Sequence, residues 1–125
     1  MNKERTGKSM KVISEEEGKR IELFEGVKGR ILMSGERIMF LLVEIEKGRS
    51  VPMHKHTNEQ FGLCLRGKAE FAGEKDVEIV ESGMFYGIAS NEPHSVRMIG
   101  DESGVFLDVF SPPREDYLAK LGKSQ

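Results

Sequence analysis

The chain reads as an all-β domain, an antiparallel barrel or sandwich, on three observations. Short strand-like runs follow one another along the chain, glycine turns separate them, and nothing before Pro112 carries a convincing helical pattern. The length of 125 residues suits one such domain with one core.

Taken in order, residues 1 to 10 are polar and read as a mobile tail, leaving residues 11–125 as the barrel domain. The strand-like runs are KVI at 11–13, RIELFEG at 20–26, KGRILMSG at 28–35 and RIMFLLVEIEKG at 37–48. After the stretch from Gly48 to Gly67, which ends in EQFGLCLRG at 59–67, come KAEFAG at 68–73, DVEIVESG at 76–83 and MFYGIA at 84–89. HSVRMIG at 94–100 and SGVFLDVF at 103–110 close the series. Beyond Pro112, PREDYLAKL predicts one or two helical turns, with a proline in the first turn and acidic residues near the start.

Composition excludes several classes of function. The chain is 38% hydrophobic and 32% charged with a net charge of −2, the balance of a soluble globular domain. Acidic and basic residues interleave without a basic stripe, which argues against a nucleic-acid partner. The longest apolar run, Ile38 to Val43, is far too short to span a bilayer. The first residues lack the apolar core of a signal peptide. A single cysteine, Cys64, allows no internal disulfide and fits a reducing cytoplasm.

The stretch from Gly48 to Gly67 organises the rest. It holds two of the three histidines, His54 and His56. Alternate residues of a strand share a face, so one extended ribbon aims His54, His56 and Gln60 at one point. Imidazole nitrogen and amide oxygen are both metal donors. His94 follows Pro93 in a second strand-like run, and the four residues form one metal site from two segments. Glu59 is the stronger donor for a hard cation but has the wrong parity. Cys64 shares the inward parity; it points into the cavity or is a small buried hydrophobe. Phe61, Leu63 and Leu65 then face outward and need a cover. The N-terminal strands or a second subunit can supply it, and the expectation is a homodimer packed through this sheet.

These residues resemble a known family. Gly48, His54-x-His56, Gln60 and Gly67 stand at the spacing of the first cupin motif, and Gly83 with Pro93-His94 matches the second. The resemblance covers residues 11–121. It implies a cupin-type double-stranded β-helix, a jelly-roll barrel with a metal near its mouth and a short C-terminal helical turn. Many cupins carry glutamate where this chain has Gln60; the HxHxxEQ form is similar to the KdgF-like, pectin-degradation subgroup of single-domain cupins. LDVFSPPREDYL, Leu107 to Leu118, is similar to the tail of that subgroup. There an aspartate, a phenylalanine and an arginine serve the sugar site, which maps them onto Asp108, Phe110 and Arg114.

Three imidazoles and a carboxamide are a neutral donor set, suited to one divalent transition metal such as Zn, Ni, Mn, Fe or Cu. Its uncompensated charge favours a small anionic ligand. The subgroup acts on 4,5-unsaturated monouronates, promoting ring opening and enol-to-keto conversion. Asp108 would move the proton, Arg114 would pair with the uronate carboxylate, and Phe110 would pack on the sugar. Structural alternatives stand beside each role: Asp108 pairs with a backbone donor, Arg114 anchors the C-terminal turn, Phe110 belongs to the core, and SPPRE is a clasp. Two further functions remain open. One is an oxygenase or another sugar isomerase on the same metal; the other is a non-enzymatic binding or sensing module. A transcription-regulator version lacks room for a recognition helix.

Overall fold

The computed structural model describes residues 10–123. Ten strands among them form two antiparallel sheets around a shared core. The strands are β1 (Lys19–Phe24), β2 (Val27–Ser34), β3 (Met39–Ile45), β4 (Ser50–His54), β5 (Glu59–Arg66), β6 (Lys68–Ala72), β7 (Val77–Glu81), β8 (Phe85–Ile88), β9 (His94–Met98) and β10 (Gly104–Ser111). The large sheet runs β1-β2-β3-β10-β5-β8 and the small one β4-β9-β6-β7. A helix, α1 (Glu115–Lys123), ends the described chain. No helix among the described residues is long and apolar enough to cross a membrane.

β10 lies between β3 and β5 in the large sheet, and its residues alternate strictly between the interior and the outer face. Phe106, Asp108 and Phe110 therefore point inward together. β5 repeats the pattern: Gln60, Gly62 and Cys64 are buried while Phe61 and Leu65 are exposed. The core draws Ile21, Val27, Ile31, Met39, Leu41, Val43 and Ile45 from the first three strands, and Ala69, Val80 and Met98 from the small sheet. Fully burying each of the larger ones contributes roughly 1.5–3 kcal/mol, which is what joins the two sheets. Cys64 is one of these core residues and does not line the cavity described below. Gly67, between β5 and β6, has φ of 96°, a conformation that a side chain would strain.

Four expectations change. The KVI run is not a strand: Lys11 and Val12 are exposed, and the next residues, Glu15–Glu17, form a 3-10 turn that Ser14 starts by donating its N–H to Glu17 Oε1 at 2.7 Å. Three residues with no sheet edge beside them cannot hold a ladder. His54 and His56 do not share a strand. β4 ends at His54 in the small sheet, residues 55–58 cross over, and Gln60 lies on β5 in the large sheet. The N-terminal strands extend the large sheet beyond β3 and leave the outer face of β5 open, with Phe61 60% exposed. The expected mobile tail lies, except for Met10, outside the described residues. The helix begins two residues later than the PREDYLAKL run: Pro113 and Arg114 precede it, and the Arg114 carbonyl accepts the Leu118 N–H at 3.1 Å.

Candidate metal centre and its cavity

Cross-strand pairing brings the distant histidine home. His94 opens β9 directly opposite His54 at the end of β4, and their ring centroids are 4.3 Å apart. The β4–β9 ladder shifts register between Val51 and His54, where Pro52 has no N–H to give to a ladder. His56 swings in from the crossover, its carbonyl accepting the Asn91 N–H at 2.8 Å. The result is one cluster in which the potential ligand atoms of His54, His56 and His94 all lie within 4.8 Å of one another.

The hydrogen bonds select the nitrogen that faces the centre. His54 Nδ1 lies 2.8 Å from the Pro52 carbonyl, His56 Nδ1 3.0 Å from that of Asn58, and His94 Nδ1 2.8 Å from that of Glu92. A carbonyl only accepts, so each Nδ1 carries the hydrogen and each neutral ring keeps its lone pair on Nε2. Burial lowers the pKa of His56, with the nearby Arg114 cation adding to it, and burial takes that of His94 down to about 4. Protonation, the main competitor of a metal, is thus disfavoured at both.

Gln60 stands beside this cluster. Its Oε1 lies 3.1 Å from His56 Nε2, two lone-pair atoms facing each other. Donors held about 2.1 Å from one ion are about 3.0 Å apart at a right angle and about 3.4 Å apart at the tetrahedral angle. The contact is therefore the separation expected of two ligands of one ion. The β5–β10 register sets the Gln60 side chain beside the Asp108 carboxylate on the same inner face, and this neighbour pulls the Asp108 pKa down. These residues can hold a divalent transition metal, and a set of neutral donors does not choose among such ions.

Asp108 is buried in the same wall and accepts from Tyr86 Oη at 2.6 Å. Burial raises its pKa to about 6, against the pull of Tyr86, Gln60 and Arg114. Arg114 is 6% exposed. Its Nε and Nη2 donate to Asp116 at 3.0 and 2.8 Å, its Cζ lies over the Tyr117 ring at 3.9 Å from the centroid, and its Nη1 is buried with no partner among the described residues. Phe110 stands edge-on to His56, with centroids 5.5 Å apart. Tyr86, Asp108, Phe110, Arg114 and Tyr117 line one small cavity of about 40 Å³, together with His54, His94 and Gln60, and its remaining walls are largely apolar. His56 lines a shallower groove on the other side of Arg114.

Every residue expected from the sequence thus lies in or beside one cavity. Asn58, Tyr86, Asp116 and Tyr117 carry equally specific contacts, and the sequence assigned none of them a role. Asn58 Nδ2 donates to the Pro112 carbonyl at 2.6 Å and to that of Pro113 at 3.3 Å, tying the histidine crossover to the segment that bears Arg114. Each of these contacts depends on strand register or on a segment far along the chain, so residue type alone carried no signal for them.

The cupin-domain family model matches residues 41–110. The chain belongs to the cupin family. It is 33% identical over 98 residues to the pectin degradation protein KdgF of Dickeya dadantii (strain 3937), covering 78% of this chain and 88% of that one. An H2HPP isomerase of Bacillus subtilis is 29% identical over 96 residues, but this cupin spans 41% of its length. Among solved structures, KdgF from Halomonas sp. superposes with a TM-score of 0.75 at 20% identity, over 82% of this chain and 95% of that one, a likeness of fold.

Proposed function

We propose that this cupin is a metal-dependent enzyme that acts on a small anionic molecule, most specifically in the ring opening and keto conversion of 4,5-unsaturated monouronates. The observation that carries this reading is one cavity with two complementary features. A cluster of lone-pair donors for a cation sits on one side, and a buried guanidinium with an unpaired N–H group sits on the other. A molecule with a carboxylate at one end and hydroxyls at the other answers both. The relationship to the Dickeya KdgF supports the uronate as that molecule.

Within this reading His54, His56, Gln60 and His94 hold the ion. The metal supplies Lewis acidity toward a substrate oxygen. Arg114 uses the edge that Asp116 leaves free to hold the carboxylate, a narrower hold than a guanidinium with both edges open. Asp108 moves the proton at its carboxylate, and Phe110 bounds the sugar face. The Bacillus isomerase favours a second reading, isomerisation of a different small acid at the same residues. We further infer a cytoplasmic homodimer joined through the outer face of β5 and β8, where Phe61, Leu65 and Phe85 are 60, 46 and 79% exposed.

The test is an ultraviolet time course with a purified unsaturated monouronate, whose chromophore is lost on conversion. Native protein should accelerate the loss over buffer. Asp108→Asn should slow it, and the His54→Ala, His56→Ala variant should match buffer and contain no stoichiometric metal. Equal rates for native protein and buffer would exclude the uronate reading.

A further inference from the structure

Tyr86 takes no part in the chemistry above, yet it stands half-buried in the wall of the metal centre. Its place is set by a single row across the large sheet. Tyr86 on β8 pairs with Gly62 on β5, and Gly62 pairs with Asp108 on β10. Tyr86 and Asp108 are thus two strands apart, about 9.5 Å of sheet, and they still meet at 2.6 Å. The tyrosine does this by lying flat across Gly62. A Cβ on Gly62 would overlap Tyr86 Cε1, Cζ and Oη. The glycine is the gap through which the hydroxyl reaches the carboxylate.

Gln60 precedes Gly62 by two residues and faces the same way. The β5–β10 register sets its side chain beside Asp108 on that face, while its Oε1 faces His56 Nε2. A carboxamide is nearly symmetric in shape, and rotating it by half a turn exchanges donor for acceptor. The rotated form would aim N–H groups at the centre, where they repel a cation. What forbids the rotation is an acceptor beside the other end, and Asp108 supplies one as long as its own rotation is held. The Tyr86 hydroxyl holds it.

We propose that Tyr86, Gly62 and Asp108 form a positioning device that locks the Gln60 carboxamide with its oxygen toward the three imidazoles, making Tyr86 a positioning residue for the bound ion. The inference rests on the reading of the histidine cluster as a metal site. Tyr86 also packs on Phe71, with ring centroids 4.6 Å apart, so the test must separate positioning from packing.

Metal-stripped protein is titrated with Co²⁺ against a chelator, and its visible absorption is recorded for the native chain and for Tyr86→Phe, Gly62→Ala, Gln60→Ala and the Tyr86→Phe, Gln60→Ala double variant. Tyr86→Phe keeps the ring and should weaken Co²⁺ binding on the order of tenfold, as the loss of an outer partner of a ligand does, and change the cobalt spectrum. Gly62→Ala should act in the same direction. In the Gln60→Ala background Tyr86→Phe should cost nothing more, because the group it positions is gone. Unchanged affinity and spectrum in Tyr86→Phe would overturn the device. So would an equal loss with and without Gln60, which is the mark of packing. A native chain that takes up no cobalt would overturn the metal reading itself, and the device with it.

Discussion

Asn58 offers the most direct test of how the centre is held, because one side chain joins two segments 54 residues apart. Its Nδ2 donates to the carbonyls of Pro112 and Pro113, and the residue is 7% exposed. Asn58→Ala removes both bonds. The Pro113 carbonyl lies in a buried residue and loses its donor, whereas exposed Pro112 can turn to water. One lost bond and one stranded acceptor together cost about 2 kcal/mol. At about 2.1 cal/mol/K of unfolding entropy per residue, 1 kcal/mol corresponds to about 4 °C for a chain of this length, so the alanine variant should melt about 8 °C lower. Asn58→Asp is the sharper probe. It keeps the shape but replaces the donor with a buried carboxylate facing two carbonyl oxygens. An uncompensated buried charge costs about 3–5 kcal/mol, so Tm should fall by about 12–20 °C, further than in the alanine variant. Calorimetry on the three proteins at neutral pH decides it. An aspartate variant that melts with the native protein, or above the alanine variant, would refute the clasp.

Two other outcomes follow from the geometry. Arg114→Lys loses the paired bonds to Asp116 and the planar stack on Tyr117, and a lysine presents a point charge in place of a fork. KM for an unsaturated monouronate should rise by about tenfold or more with a smaller change in kcat, the loss of one charged hydrogen bond; an unchanged KM would take Arg114 out of substrate binding. Native protein should sediment as a dimer at micromolar concentration, and Phe61→Lys with Phe85→Lys should sediment as a monomer, because two charges would enter the apolar centre of the interface. A native monomer would refute the dimer.

Local sequence carries the period of each element, and that determined a great deal. The alternation in β10 placed Phe106, Asp108 and Phe110 inside, and the parity of β5 placed Gln60 inside and Phe61 outside. The histidine spacing with its flanking glycines was enough to expect one site from two segments and to see the cupin resemblance. The route by which the ligands meet was not legible. His54, His56 and Gln60 were expected on one ribbon and instead come from β4, a crossover and β5. A polar tetrapeptide, Lys55 to Asn58, does not announce that the chain is changing sheets.

Register was invisible for a related reason. Parity says which face a side chain takes, and says nothing about which residue stands opposite it. That His94 pairs with His54, that Tyr86 crosses Gly62 to reach Asp108, and that Asp116 occupies one edge of Arg114 are facts of pairing and packing. The sequence by itself determined the fold class, the family and the residue types gathered at the site, because these follow from residue type and short-range period. The tertiary structure alone decided which nitrogen each histidine presents, how the Gln60 amide is turned and where the guanidinium is left unpaired, because each depends on a hydrogen-bond partner supplied by the path of the folded backbone.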